Sequence, residues 1–491
     1  MGKIFSNSWM TKLSIVILNI FILIIIVITF INKFRIDKLS SENLPPNVVI
    51  IVMDTVRQDH LSCYGYKRDT TPNLNRLKKS SRVYYNAYST SCWTCSAHAS
   101  LFTGLFPIAH KTTQENLWMS KRLKTLAEVL STEGYETVGI VENPILTKYY
   151  NFNQGFSIYH ETWRKSYKDR ILMWLTSENS AFILFKRSLN KRDKRKPFFM
   201  FINFIEPHSP YNSSQQFYGK FLSDRSLRCE ENMCRSYFLG KRNFTQSEFQ
   251  HLNELYDAEI LYVDYWIGEM IDELKKKNLW NNTIFIVTSD HGENIGDHQM
   301  MDHIFSLYES TIKIPLIIHY PKLFPCNSED YDIVQLTDIF PTLLKIVGID
   351  SKKYHSHGQY LLERYIQKER VGFCEYYYPK QVIGSFEKQD RENVRLKKYK
   401  RRLRAIIMNN MKLIWGSDGN HELYDLAKDP EENENLIDKK NYLKVKQEMM
   451  KVLKNMVSKN DHNTNDYSNL TEKKAIDKNT IEELKALGYV R

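Results

Sequence analysis

The chain has 491 residues, 42% of them hydrophobic, 13% aromatic and 26% charged, with a net charge of +12. A chain of that length and composition buries one large core or two ordinary ones, which excludes a disordered polymer, a disulfide-held mini-protein and, at only 18 Gly and 14 Pro, a collagen-like repeat. The excess of 69 Lys and Arg over 57 Asp and Glu suits anionic partners, without separating nucleic acid, membrane surface, polyanionic glycan or a small anionic ester.

From the N-terminus, residues 1–13 form a short basic cap, and the twenty residues between Lys12 and Lys33 carry no charge. At about 1.5 Å rise per residue they cross a bilayer core of roughly 30 Å, so residues 14–32 read as a single transmembrane anchor. The run is longer than a cleaved signal core and no small-x-small cleavage site follows it, which favours retention of the anchor. Basic residues flank it on both sides, so charge does not orient it. Residues 33–46 make a polar stem. Everything beyond is expected to be one body on this tether.

Next come short apolar runs of the kind that fill buried parallel strands: Asn47 to Met53, Thr137 to Val141, Pro197 to Phe204, Thr283 to Ser289 and Ile314 to Tyr320. Helical patterns separate them at Leu123 to Glu133, Phe249 to Lys277 and Asp338 to Val347. Alternation of this kind predicts an α/β fold over residues 47–349, a doubly wound, mostly parallel sheet flanked by helices. After Ile349 the apolar runs shorten, which predicts a smaller α+β subdomain over 350–491. Two basic runs, Lys186 to Lys196 and Arg395 to Arg404, read as solvated loops; they lack the stacking aromatics and fold signature of nucleic-acid binding. Seven cysteines are present; Cys229 and Cys234 are close enough in sequence to bridge, whereas Cys92-Trp-Thr-Cys95 lacks the second CxxC of a zinc site.

In doubly wound sheets the chemistry gathers outside the carboxyl ends of the strands. Asp54 follows the first strand, and Asp290-His-Gly-Glu293 follows the strand at 283–289, so two strands would deliver two carboxylates and an imidazole to one rim. That is a donor set for a divalent metal. A lone aspartate after a strand is commonly a helix cap; the combination favours metal. A third segment, Ser91 to Gly104, is a polar loop running into a helix-like pattern, where a hydroxyl at the helix N-terminus would meet anions and a metal would make it a nucleophile.

These stretches together resemble the sulfatase family of the alkaline-phosphatase-like superfamily. The resemblance is carried by Asn47 to Tyr66, Thr71-Pro-Asn-Leu74, Thr94 to Gly104, Thr125 to Leu130, Pro207-His208, Val287-Thr-Ser-Asp-His-Gly-Glu293 and Leu423-Tyr-Asp-Leu426, in that order and at the family's spacings. It implies Asp54, Asp290 and His291 as metal ligands and places the family's nucleophile position on Thr94. It puts His98 at the family's arginine position, His208 near the substrate's anionic group and Arg57 in the first motif. His110, Lys111, His298 and His303 fall where further active-site cations are expected.

Threonine cannot become the formylglycine of ordinary sulfatases, and Cys95 is one place out of register. The resemblance therefore implies attack by the Thr94 hydroxyl itself, bound to one divalent metal ion, with Zn²⁺ or Mn²⁺ preferred over Ca²⁺ because Thr55 replaces a second aspartate and His291 is present. Arg57, His98 and His208 would stabilise equatorial charge, His303 or His298 would protonate the leaving group, and His110, Lys111 and His298 would bind substrate. The expected activity is hydrolysis of sulfuric esters or related phosphate esters, on a sulfated or phosphorylated glycan, lipid or small molecule, outside the cytoplasm. A phosphoryl or phosphoalcohol transferase acting on a cell-surface lipid or glycan, and a non-catalytic module that binds anionic glycan, are the alternatives.

Overall fold

The computed structural model describes residues 15–24, 44–164, 176–211, 215–224, 233–362, 370–388, 396, 398–461 and 477–486. Of the expected anchor, residues 15–24 are helical with exposed apolar side chains, and the rest of 14–32 lies outside the described residues, as does most of the stem. Among the described residues no helix is long and apolar enough to cross a membrane. Cys229 likewise lies outside them.

Strands β1 (Asn47–Met53), β2 (Arg82–Tyr88), β3 (Glu136–Val141), β4 (Ile158–Glu161), β5 (Phe198–Phe204) and β6 (Thr283–Ser289) belong to the main sheet. A small hairpin follows, β7 (Asn294–Ile295) with β8 (Met301–Asp302), and then β9 (Leu316–His319) and β10 (Ser328–Gln335) return to the main sheet. Its eight strands run in the order β10-β2-β9-β6-β1-β5-β3-β4. Every residue of β1, β5 and β6 is buried, because helices cover both faces; this is why these strands are dominated by Val, Ile and Phe.

The sheet is mixed and, as the sequence predicts, mostly parallel. β9 runs antiparallel to both neighbours, β2 and β6, while the other pairings are parallel. A central strand covered on both faces is apolar whichever way it points, so its direction is silent in composition. Helices α1 (Thr94–Thr103), α2 (Gln246–Lys276) and α3 (Ile339–Ile346) pack around the sheet. α2 is 31 residues long and opens with a capping box in which Thr245 and Glu248 satisfy each other's backbone N–H groups.

The C-terminal subdomain is an antiparallel sheet of β11 (Gly372–Tyr376), β12 (Leu403–Met408), β13 (Met411–Gly416) and β14 (Glu422–Asp425), with helix α4 (Leu443–Asp461) packed on it. Phe373, Ile406, Leu413 and Leu453 form a core separate from the main one, and Phe106 and Ile108, just past α1, insert into it. Lys412 is fully buried and paired with Glu309 at 3.1 Å and Glu432 at 2.8 Å. The subdomain thus grips the segment that leaves α1.

Candidate active site

Four adjacent parallel strands, β6, β1, β5 and β3, end at the same edge of the sheet. Each delivers one or two residues there: Asp290 and His291 after β6, Asp54 after β1, Asn203 within β5 and Asn143 beyond β3. Thr55 turns the chain away from β1 with φ 58, a left-handed backbone that a β-branched residue adopts only under constraint. The constraint is visible. Thr55 N–H donates to Asp290 Oδ1 at 3.2 Å, and the Tyr256 hydroxyl from α2 donates to Thr55 O at 2.6 Å while accepting from Arg57 N–H at 2.9 Å.

Asp54 and Asp290 are each held by one oxygen. Asp54 Oδ2 accepts from Asn143 Nδ2 at 2.8 Å and Asn203 Nδ2 at 3.3 Å, and Asp290 Oδ1 accepts from the N–H groups of Thr55 and His291. Asp54 Oδ1 and Asp290 Oδ2 are buried and have no hydrogen-bond partner. His291 Nδ1 donates to Gly292 O at 3.0 Å, which leaves Nε2 a lone pair, and one ligand atom each of Asp54, Asp290 and His291 lies within 4.8 Å of the other two. Gly292 is obligatory at this turn, since a Cβ there would stand 2.1 Å from Ser310 O.

Burial, and then the charge of Asp54, push the Asp290 carboxyl well above the usual carboxylate range; burial and His303 push the His291 imidazole well below its own. Two buried oxygens left bare, with a lone-pair nitrogen beside them, are costly by themselves and fit a divalent cation, whose charge favours the ionised form of Asp290 and the neutral form of His291. Asp54, Asp290 and His291 are the residues that would hold it.

Thr94 is the first residue of α1, a helix buried over its whole length and closed by Gly104 at φ 69. Its Oγ1 lies 3.1 Å from His291 Nε2. His98, one turn on, donates from Nδ1 to Thr94 O at 2.9 Å, and burial lowers its imidazole to about 4. It ties the turn that carries Thr94 and is neutral at pH 7, so it does not supply the positive charge of the arginine it stands for.

The remaining expected residues divide. His208 and His303 join the site, with ring centroids 5.2 Å apart, and the His303 ring lies 4.3 Å from that of His291. His208 Nδ1 donates to Ser209 O at 2.7 Å. Arg57 does not face a substrate: its guanidinium binds Asp59 at 2.7 Å, Asp297 at 2.6 Å and Glu293 O at 3.2 Å, which fixes the loop after His291. His110 is buried, accepting at Nδ1 from Thr112 N–H at 3.0 Å and donating from Nε2 to Ser100 Oγ at 3.0 Å. Lys111 caps the short helix Pro107–His110 at φ 59. His298 stacks on Tyr308 at 3.7 Å and lines, with Tyr399, Arg401 and Glu422, a cavity of about 320 Å³ that contains no residue of the metal triad.

Asn143 and Asn203 went unnoticed in the sequence, where Tyr256 enters only as part of a stretch that resembles the family, with no role at the site. Their amides and hydroxyl act through other residues, and an Asn next to a strand is usually a turn former.

Residues 46–349 match the sulfatase family, and residues 296–459 match the family described as N-sulphoglucosamine sulphohydrolase, C-terminal. The chain belongs to the sulfatase family and is an ester hydrolase of sulfatase type. It is 25% identical over 462 residues to the arylsulfatase of Clostridium perfringens, covering 81% of this chain and 92% of that protein. It is 22% identical to the N-acetylglucosamine-6-O-sulfatase of Bacteroides thetaiotaomicron over 84% of this chain and 86% of that protein. The fold is shared with the phosphonate monoester hydrolase of Agrobacterium radiobacter at a TM-score of 0.71 and 22% identity, over 87% of this chain and 98% of that one.

Proposed function

We propose that the chain hydrolyses sulfate or phosphate esters by direct attack of the Thr94 hydroxyl. The observation that carries this reading is the position of Thr94 Oγ1, 3.1 Å from His291 Nε2 at the N-terminus of α1, beside the bare oxygens of Asp54 and Asp290. A divalent cation held by Asp54, Asp290 and His291, with Zn²⁺ or Mn²⁺ suiting the mixed nitrogen and oxygen donors, would lower the hydroxyl's pKa and draw charge from the ester. The Thr94 Oγ bond to sulfur or phosphorus forms as the bond to the leaving oxygen breaks. His98 holds the Thr94 turn in place, and His303, whose imidazole, against the cost of burial, Asp302 and Glu293 raise well above its ordinary value, gives its proton to the leaving oxygen. Water then cleaves the threonine ester.

The relatives support sulfate esters of aryl alcohols and hexosamines as substrates, and the fold shared with a phosphonate monoester hydrolase supports phosphorus esters. Thr94 itself favours a second reading, transfer of a phosphoryl group from Thr94 to an acceptor alcohol. A threonine ester lacks the second hydroxyl through which a formylglycine hydrate expels sulfate. The uncharged run at 14–32 supports placing the catalytic body on a membrane anchor outside the cytoplasm, which protease accessibility in intact cells would test.

The decisive experiment pairs a panel of aryl sulfate, phosphate monoester, phosphate diester and phosphonate monoester, under Zn²⁺, Mn²⁺ or Ca²⁺, with mass spectrometry of the peptide spanning Ser91 to Gly104. A covalent adduct on Thr94 after substrate quenching supports the reading. Formylglycine at Cys92 or Cys95, or full activity in Thr94→Ala, overturns it.

A further inference from the structure

Past the C-terminal subdomain, helix α5 (Lys478–Ala486) packs back on the catalytic body, against the turn Pro144–Leu146. Asp477 starts it as the N-cap: its Oδ1 accepts from Thr480 N–H at 3.1 Å, and its backbone O accepts from Ile481 N–H at 3.1 Å. Thr480 and Leu484, one turn apart on the same face, are fully buried. Thr480 Oγ1 accepts from Trp163 Nε1 at 3.3 Å and from Arg164 Nη2 at 3.1 Å, and Arg164 also pairs with Asp477.

Arg164 carries the contact inward. Its Nε lies 2.9 Å from Glu161 Oε2, and Glu161, the buried last residue of β4, accepts at Oε1 from Thr147 Oγ1 at 2.6 Å and from Lys148 N–H at 2.9 Å. Those two residues follow the turn Pro144–Leu146, and the Tyr159 hydroxyl of β4 donates to Leu146 O at 2.6 Å. The turn opens on Asn143, which caps it by accepting from Ile145 N–H at 3.1 Å and holds Asp54 Oδ2 through Nδ2 at 2.8 Å. A buried carboxylate such as Glu161 needs a cation beside it, but the Arg164 side chain is 42% exposed. A long exposed side chain keeps one geometry only where a further partner holds it, and α5 supplies that partner.

We propose that α5 is a positioning element for the metal site and that Arg164 is the positioning residue through which it acts. Helix, Arg164, Glu161 and the 144–146 turn form one path to Asn143 and from there to Asp54. Docking of α5 fixes the turn, the turn fixes the Asn143 amide, and the amide keeps the bare Asp54 Oδ1 aimed where the cation binds. The rival account makes α5 a cover for Trp163 and the apolar side chains around Leu484, with no effect on Asp54. The inference rests on the metal reading of Asp54, Asp290 and His291, and measuring metal affinity separates the two.

The test uses the full-length chain, stripped with chelator and titrated with Mn²⁺, the free ion being read by electron paramagnetic resonance. Arg164→Ala lies further out than a direct partner of a ligand, whose loss costs about 10- to 100-fold in affinity, and is expected to raise the Mn²⁺ Kd about 5-fold. In an Asn143→Ala background it should add nothing, because both residues act on Asp54 through one amide. Coupling is reciprocal, so bound Mn²⁺ must also tighten α5: in the wild type the amides of residues 478–486 should exchange with deuterium more slowly when Mn²⁺ is present. A Kd unchanged by Arg164→Ala, an equal effect of Arg164→Ala in both backgrounds, or exchange in α5 indifferent to Mn²⁺ overturns the path, while loss of affinity in Asp290→Asn leaves the metal reading standing. No bound Mn²⁺ in the wild type overturns both. The exchange measurement needs no variant, so it decides even where Arg164→Ala fails to fold.

Discussion

Thr94 Oγ1 stands 3.1 Å from His291 Nε2 although 197 positions separate the two residues. The first belongs to the N-terminus of α1 and the second to the turn after β6, and the contact exists only because both elements end at the same edge of the sheet. Thr94→Ala is expected to lower kcat by at least about 1,000-fold, as loss of a nucleophile does, while metal content stays near the wild-type value. Thr94→Ser keeps the hydroxyl and should retain measurable turnover. Steady-state kinetics with metal analysis on the same samples checks both.

Asp54 is oriented by amides it does not resemble in sequence. Asn143→Ala removes the 2.8 Å bond to Asp54 Oδ2 and frees the carboxylate to rotate. Loss of such an outer partner typically weakens metal binding about 10- to 100-fold. Competition with a chromophoric chelator should report a shift of that size, with the far-ultraviolet dichroism unchanged; an unaltered dissociation constant would show that Asn143 is only a turn residue.

Removing the metal should also loosen the fold. Asp54 and Asp290 are buried side by side, each with a bare oxygen, and a bound cation stabilises the native state by mass action. Exhaustive chelation is expected to abolish activity and lower the melting temperature by several degrees, both restored by Zn²⁺ or Mn²⁺. Calorimetry of the stripped and reloaded chain measures it.

The Tyr256 hydroxyl ties the strained Thr55 turn to α2 through bonds of 2.6 and 2.9 Å. Tyr256→Phe leaves two buried backbone groups unpaired, which costs about 2–6 kcal/mol at roughly 1–3 each before relaxation. A fall in urea midpoint should therefore accompany a fall in kcat, because the same turn aims Asp54. A loss of stability with kcat intact would separate the turn from the chemistry.

Acid should destabilise the protein through His110. Burial, reinforced by His357, lowers its imidazole to about 3, against about 6.5 when unfolded. Its neutral form accepts from Thr112 and donates to Ser100, so the contribution is fully present above pH 6.5 and is lost as pH falls toward 3. Between pH 7 and pH 5 this residue alone removes about 2 kcal/mol. His110→Gln should show a shallower decline over that window in urea unfolding, and a parallel decline would rule out His110 as the source.

Much of this fold was legible in the sequence because burial leaves a compositional trace. The runs at 47–53, 198–204 and 283–289 are apolar at nearly every position since helices cover both faces, and they could be read as central strands without coordinates. β2 and β10 escaped. Arg82 and Asn86 interrupt one, and Glu329, Asp330 and Asp332 charge the other, which lies at the sheet edge where charge protects against unwanted pairing.

The sequence by itself determined the family, and it singled out Asp54, Asp290 and His291 as a candidate metal-binding set and Thr94 as the candidate nucleophile, since each rests on residue type at a spacing along the chain. Tertiary structure decided what each remaining charge is for. Arg57, a candidate for substrate charge, is consumed by Asp59 and Asp297; His110 is locked between Ser100 and Thr112; Asn143 and Asn203, silent in the sequence, aim Asp54. A side chain's role depends on which partners reach it first, and those partners come from strands and loops far apart in sequence. The net charge of +12 therefore says little about the candidate site, which is lined by carboxylates, imidazoles and one buried hydroxyl.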